Sequence, residues 1–382
     1  MLLLEHDAKE LVRAQGMTIP EGVFVDGRTV ADVALDGKGP WVVKAQVGVG
    51  GRGKAGGIGF AATHAEVVEF VRAHADGSIK GHRIAGFRVE RKVDFVHEIY
   101  AGLMVDAAAR AVRVMLSTQG GVDVEEHAAD AMLSAVAAPD EASLVVAAEG
   151  LLAHVAPELR EPLNAAFHAL IDAFLRFDAS LIEVNPLFVL ADGSWVAGDM
   201  KLAIDENALP RQPEVERIVR SRPQAYRESL FKLEHDFDYV GLDTHGQIGL
   251  LTTGAGLSMM LIDEMRQASR RPFNFCDVRT GQLRGSPARL IEVLRQFTQG
   301  SDIAVVLVNV FAGITDLGEF AQLLLDALDA VPELGVPVVA RLIGNNFEAA
   351  RRTIEASGRA IVVESDLDKA LQIAIERAGV TA

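Results

Sequence analysis

The chain has 382 residues, 49% hydrophobic and 24% charged, with a formal net charge of −16 at pH 7. These proportions exclude a disordered chain and leave room for two domains with proper cores. The acidic balance argues against a nucleic-acid partner, because phosphate backbones are bound by basic surfaces, although a local basic loop can still hold a nucleotide.

The first informative stretch is KAQVGVGGRGKAGG, from Lys44 to Gly57. Gly48 to Lys54 reads G-x-x-x-x-G-K, but the next residue, Ala55, has no hydroxyl for Mg²⁺. Gly56 and Gly57 then spoil the helix that should cradle phosphates, so the segment is not a Walker A loop. WVVKAQV reads instead as a strand running into a flexible basic lid, with Lys44 fixed on the strand and Arg52 and Lys54 on the mobile part. A glycine-rich hairpin with solvated charges is the plain alternative.

Beyond it, helical HAEVVEFVRAHA is followed by strands IYAGLMVD and AVRVMLST, which read as antiparallel. In VERKVDFVHEIYAG, Glu90 ends one strand and Glu98 begins another. Either could face a ribose, base or metal, or be a surface charge, and taken alone the surface reading wins. His97 beside Glu98 is not a zinc H-E-x-x-H motif, since no second histidine follows at that spacing.

SLIEVNPLFVLADGSWVAGDMKLAID reads as a β-hairpin turning at Asp192 and Gly193. Alternation puts Glu183 and Asn185 on one face of the first strand, and Asp199 and Lys201 on one face of the second. A two-residue loop would mix polar and apolar faces. A three-residue loop, Ala191 to Gly193 with Gly193 left-handed, sets Asn185 opposite Asp199 and Glu183 opposite Lys201. That surface offers hard oxygen ligands of the kind Mg²⁺ on nucleotide phosphates prefers, or it is the solvent face of an ordinary hairpin.

The charged helical run RQPEVERIVRSRPQAYRESLFKLEHDFDY leads onward, and from about Tyr239 the rhythm changes. GQIGLLTTGAG, DIAVVLVNVFAG, VPVVARLIGNN and AIVVES are continuous apolar runs, with helical stretches such as FEAARRTIEASG between them. This βα repeat predicts a doubly wound parallel sheet, with its site at the strand C-termini. The expected domains are therefore 1–238 and 239–382.

Cys276 is the sole cysteine, which rules out a disulfide framework and fits a reducing compartment. No run approaches the ~20 apolar residues of a membrane span, and MLLLEHDAKE turns acidic too soon for a signal-peptide core. A cytoplasmic location, with no membrane partner, is the expectation.

Taken in order, these segments resemble the β subunit of succinyl-CoA synthetase, the ADP-forming or GDP-forming carboxylate–CoA ligase. The match is carried by LLEHDAKELVRAQGMTIPEG, WVVKAQVGVGGRGKAGGI, VERKVDFVHEIYAGLMVD, STQGGVDVEEHA, LIEVNPL, GDMKLAIDENALPRQPE, TGAGLSM, VLVNVFAGI and RLIGNN, spread over nearly the whole chain. The resemblance implies an N-terminal ATP-grasp domain and a C-terminal flavodoxin-like ligase domain, an α/β and α+β chain. It implies that Lys44, Gly51, Arg52 and Gly53 bind phosphates and that Glu90, Val93 and Glu98 line the nucleotide pocket. Asn185 and Asp199 match Mg²⁺ ligands, and Glu183 matches a catalytic-region carboxylate beside Arg52. Gly313, Ile314 and Thr315, with Thr253, fall at positions for the small carboxylate substrate.

ATP or GTP and CoA are the implied co-substrates. In the family the phosphate passes to a histidine on a separate α subunit that also carries the CoA site. None of the ten histidines here sits in a glycine-rich loop suited to that role, so the chain reads as half an enzyme. Departures lie in NFCDVRTGQLRGSPARLIEVL, where Arg279 and Arg284 replace a glycine triplet, and at Thr253, Ala312 and Gly48, which replace an asparagine, a glycine and a histidine. The cysteine and preceding arginine usual after the substrate loop are also missing from GITDLGEF. Neutral drift is one reading; an altered preference for a longer, hydroxylated, sulfinated or branched acid, such as malate or itaconate, is the other. A self-contained ATP-grasp ligase and a catalytically silent subunit are the competing functions. Ser286 and Pro287 read as the N-cap and first turn of the helix after the altered loop.

Overall fold

The computed structural model describes residues 1–35, 38–121, 132–283 and 285–379. The part of the STQGGVDVEEHA segment beyond Gly121, and Arg284, lie outside the described residues. Contacts divide the chain into two units, Met1–Tyr226 and Arg227–Ala382.

The first unit contains two large antiparallel sheets and a two-stranded one. Its strands in chain order are β1 (Gly22–Val25), β2 (Trp41–Gln46), β3 (Ile58–Ala61), the short pair β4 (Ser78–Ile79) and β5 (His82–Arg83), and β6 (Gly86–Arg91). The smaller of the two large sheets runs β1-β6-β2-β3. Strand alternation gives it two unlike faces. Val43 and Ala45 of β2 and Phe87 and Val89 of β6 pack with Val67 and Val71 of helix His64–His74 in a closed apolar core. That helix starts where the Thr63 hydroxyl accepts a hydrogen bond from Glu66 N. Lys44, Gln46, Arg88 and Glu90 share the opposite face, and all four are buried.

The larger sheet comprises β7 (His97–Asp106), β8 (Ala111–Ser117), β9 (Leu133–Ala137), β10 (Ala179–Val189), β11 (Trp195–Ala197) and β12 (Met200–Ile204). Its order is β11-β10-β7-β8-β9, with β12 also on β10. The hairpin has the expected three-residue loop. Leu190 N donates to Ser194 O at 2.8 Å, Gly193 has φ +79°, and Glu183 lies opposite Lys201. Asn185 N donates to Asp199 O at 3.1 Å, placing those two residues across from each other. The apolar pairs Ile182–Leu202 and Val184–Met200 stay together and buried, which is what fixes the register.

In the second unit, β13 (Asp238–Gly241) pairs with β15 (Asn274–Asp277). A parallel sheet runs from β14 (Ile248–Thr252) through β16 (Val305–Ala312) and β17 (Val338–Gly344) to β18 (Ile361–Val363). Val306, Val308 and Leu342 pack on one side with Phe297 and Phe320, while Leu250, Leu307 and Val339 pack on the other with Leu261, Met265 and Leu371. Burial on both faces explains the unbroken apolar runs, and this is the doubly wound arrangement the βα rhythm predicts.

The division falls ahead of the expected boundary near residue 238. Phe231, on helix Arg227–His235, packs into the second unit's core with Phe237 and Tyr239. The helix after the altered loop also starts one residue later than expected, at Ala288, with Pro287 at the cap position and the Ser286 hydroxyl accepting from Ala288 N at 3.3 Å.

Candidate functional site

Within the first unit, a cavity of about 1110 Å³ is lined by residues of both sheets. It brings together Lys44, Gly51, Arg52, Gly53, Glu90, Val93, Glu98, Glu183, Asn185 and Asp199. One end is ionic. Elsewhere its lining includes Phe95 and Phe188, stacked with centroids 4.4 Å apart.

The ionic end is built on Glu5 and Lys9, one turn apart on helix Glu5–Arg13 and therefore on the same helix face. Lys9 Nζ lies 2.8 Å from Glu5 and donates to both Glu90 oxygens at 2.9 and 3.0 Å. Lys44 Nζ contacts Glu5 at 3.0 Å and Glu90 at 2.6 Å. Both ammonium groups also donate to Gly198 O, at 2.7 and 2.5 Å. Arg88 Nε closes the far side on Glu90 at 2.5 Å, and its Nη1 reaches Glu10 at 2.9 Å.

Arg52 is not the solvated cation of the plain alternative: the side chain is only 8% exposed. Its Nη1 donates to Glu5 at 2.8 Å and to Ala45 O at 3.1 Å, while Nη2 donates to both Asp199 oxygens at 2.7 and 2.9 Å. Two anionic partners thus hold a side chain that the glycine-rich connection carries. Lys54, two residues on, is exposed as expected.

Burial works against every charge in this network. It would raise the Glu5 carboxyl, yet Lys44, Lys9 and Arg52 together hold it well below the ordinary range. Burial would lower Lys44, but Glu5 and Glu90 lift it above the ordinary lysine value. Lys9 lies deeper, and there burial prevails over the same two carboxylates and lowers it. Glu90 is lowered overall, burial notwithstanding, chiefly by Lys44 and Lys9. Far from being a surface charge, Glu90 is a buried counter-ion.

The remaining hairpin residues are also engaged. Glu183 Oε1 accepts from Lys201 Nζ at 2.7 Å, and its other oxygen accepts from the Tyr100 hydroxyl at 3.3 Å. Asn185 Oδ1 accepts from Gly121 N at 2.8 Å and its Nδ2 donates to Gly121 O at 3.1 Å. Glu98 is raised by burial. Among the described residues, no group of three or more His, Cys, Asp and Glu side chains is placed to hold a metal ion. The facing carboxylate and amide oxygen of Asp199 and Asn185 nevertheless fit Mg²⁺ in donor chemistry, because that ion commonly takes one or two protein oxygens and completes its shell with phosphate and water.

The second unit holds the other expected residues at the C-terminal edge of its parallel sheet. Thr253 follows β14, its N–H donating to Asn309 O at 3.1 Å and its hydroxyl accepting from Phe311 N at 3.2 Å. Gly313, Ile314 and Thr315 follow β16; Ile314 is 96% exposed, and Thr315 Oγ1 donates to Thr280 Oγ1 at 3.0 Å. Arg279, in the altered loop, is left-handed at φ 52° and pairs with Asp238 at 2.7 Å.

Glu5, which lines the cavity, and Lys9 and Arg88, which join the same ionic network without lining it, are not singled out by the sequence. Their signal is faint: a Glu and a Lys four apart on a helix, and Arg88 two residues before Glu90 on one strand face.

Comparison with known proteins gives a consistent picture. A family profile for the ATP-grasp domain matches residues 2–189, and one for CoA-ligase matches residues 251–375. The chain is 35% identical to the succinate–CoA ligase (ADP-forming) subunit beta of Chloroflexus aurantiacus, over 98% of this chain and 96% of that one. It is 32% identical to a probable malate–CoA ligase subunit beta of Mesorhizobium japonicum, over 97% and 96%. The solved structure of ATP citrate lyase from Methanothrix soehngenii shares the fold, with TM-score 0.76 at 18% identity over 98% of this chain and 99% of that one. Among the described residues, no helix is long and apolar enough to cross a membrane. The chain belongs to the succinate–CoA ligase β-subunit family and is the β subunit of an ADP-forming acid–thiol ligase, with an ATP-grasp domain and a CoA-ligase domain.

Proposed function

We propose that this β subunit binds Mg²⁺·ATP in the cavity of its first unit and passes the terminal phosphate to a histidine of a separate α subunit, which uses it to form an acyl-CoA from a small carboxylate. The observation that carries the reading is the convergence of Lys44, Arg52 and Asp199, from a strand, a glycine-rich connection and a hairpin, at one end of a nucleotide-sized cavity.

Lys44 and Arg52 supply fixed positive charge for the phosphates, and the backbone of Gly51 and Gly53 allows close approach. Phosphoryl transfer needs little covalent help from protein groups, so alignment and neutralisation are the main tasks. Asp199 and Asn185 would hold the Mg²⁺, whose chemistry is to neutralise and align phosphate oxygens. The need for added charge follows from the network: Lys9, Lys44, Arg52 and Arg88 are already matched by Glu5, Glu90, Asp199 and Glu10. Val93, Glu98 and the stacked Phe95 and Phe188 line the same cavity and would contact the nucleoside. Glu183, held by Lys201 and Tyr100, would stand beside the transferring phosphate and its histidine acceptor. Thr253 and the Gly313–Thr315 loop would receive the carboxylate.

The relatives' names include both succinate and malate ligases, and Thr253 adds a hydroxyl at the proposed substrate loop. Small dicarboxylates, with or without a hydroxyl, are therefore the substrate class. The test is carboxylate-dependent release of ADP or GDP by this chain co-expressed with its α partner, with CoA and a panel containing succinate, malate and itaconate. Turnover that needs the partner and favours one such acid supports the reading; turnover by the chain alone overturns it in favour of a self-contained ligase.

A further inference from the structure

We propose that Glu5 is a positioning residue that holds Lys44 and Arg52 together as one phosphate-binding unit, an inference that rests on the nucleotide-binding reading above. The two cations belong to different kinds of backbone. Lys44 stands in the middle of β2, whereas Arg52 is carried by the connection to β3 that contains Gly48, Gly50, Gly51, Gly53, Gly56 and Gly57. Such a connection holds a side chain in place poorly by itself.

Glu5 spans the gap. Its Oε1 lies 3.0 Å from Lys44 Nζ and 2.8 Å from Lys9 Nζ, and its Oε2 lies 2.8 Å from Arg52 Nη1. The carboxylate is itself fixed: its side chain is 1% exposed, and the start of its helix is tied down by Tyr226 Oη accepting from Leu4 N at 2.9 Å and by Gln46 Oε1 accepting from His6 N at 2.8 Å. Being an anion, Glu5 would repel a phosphate. Its effect on nucleotide therefore runs through its partners. Arg52 makes this sharper, because its other ionic partner, Asp199, is the proposed Mg²⁺ ligand. Once Asp199 turns to a cation, Glu5 is the carboxylate that retains the guanidinium. Without Glu5, Lys9, Lys44 and Arg52 would face one another across a buried space with one carboxylate fewer between them.

The test is a double-mutant cycle on the full chain with its α partner, reading the Kd of Mg²⁺·ATP by calorimetry for wild type, Glu5→Gln, Arg52→Gln and the double variant. Each single change is expected to weaken binding about 10- to 100-fold, the scale of one lost charge-assisted hydrogen bond. In the Arg52→Gln background, the Glu5→Gln loss should shrink several-fold. Inorganic tripolyphosphate should show the same pattern, since the effect lies at the phosphate end. Glu5→Asp, which keeps the charge on a shorter arm, should recover part of the affinity; if Glu5→Gln does not fold, Glu5→Asp takes its place in the cycle. Losses that simply multiply, or unchanged affinity in the Glu5 variant, would overturn the proposal. Unchanged affinity in Arg52→Gln alone would instead overturn the phosphate-site reading on which it stands.

Discussion

In this structure Arg52 occupies the carboxylate that the proposed metal requires, so replacing Arg52 should make that metal site easier to fill. Arg52 Nη2 donates to both oxygens of Asp199, and the Asp199 side chain is 27% exposed. A charge-assisted pair in a partly wet setting contributes about 1.5–3 kcal/mol. A bare divalent cation must displace that contact, which corresponds to about 10- to 100-fold in affinity. On the proposed reading, nucleotide would remove the conflict, because its phosphates would give the guanidinium a new anionic partner and release Asp199. Mn²⁺ is a convenient probe, read by electron paramagnetic resonance of the free ion in the absence of nucleotide. Wild type should bind it weakly, Arg52→Gln about 10- to 100-fold more tightly, and the Arg52→Gln/Asp199→Asn double variant weakly again. Equal or weaker Mn²⁺ binding in Arg52→Gln would refute the competition between arginine and metal. Binding indifferent to Asp199 in every variant would remove the metal assignment itself.

Three further outcomes are expected. His6 is pushed down to about 3, first by burial and then by Arg88, whose guanidinium donates to its Nδ1 at 2.9 Å. Between pH 6.5 and 4.5 the unfolded chain therefore binds a proton there that the folded one refuses. Stability contributed by neutral His6 is complete above pH 6.5 and declines as pH falls, by about 2 kcal/mol at pH 4.5. Glu5 and Glu90, whose carboxyls are lowered on folding, contribute mainly below this window and only begin to matter at its lower end, so chemical denaturation across it should show a shallower decline for His6→Gln; an unchanged slope would exclude His6 as the source. Gly198→Ala would drive a Cβ into the Phe188 ring and shift the carbonyl shared by Lys9 and Lys44. A stability loss of about 1–3 kcal/mol together with weaker nucleotide binding is expected, and normal values of both would show that the carbonyl does not matter. Thr253→Ala removes the acceptor for Phe311 N; steady-state kinetics should give a higher KM for the carboxylate with nucleotide affinity unchanged, and the reverse would detach this loop from substrate.

What could be read in advance follows from how far apart the interacting residues are. The hairpin register was legible because strand alternation and one left-handed glycine leave a single arrangement that keeps Ile182, Val184, Met200 and Leu202 on one face. The parallel sheet was legible because strands covered on both faces need unbroken apolar runs, as in β16. The buried ionic network was not. Its members come from residues 5, 9, 44, 52, 88, 90 and 199, and no local pattern says that a Glu and a Lys on an amphipathic helix will face a charged strand rather than water. The ion pairs that bury Arg52 were illegible for the same reason, since its glycine neighbours describe the backbone while its partners fix the side chain. Helix Arg227–His235 reads as a charged connector in the sequence, and nothing local shows that Phe231 packs into the second unit's core.

The most direct test of the central claim is to follow the terminal phosphate. The chain and its co-expressed α partner would be incubated with ATP labelled in the γ-phosphate, without CoA or carboxylate, and the subunits separated. Acid-labile, base-stable label on the α subunit, absent when Asp199→Asn replaces the native chain, is the predicted result. Label that never leaves the nucleotide, or that settles on this chain, would contradict the transfer of phosphate from this cavity to a partner's histidine.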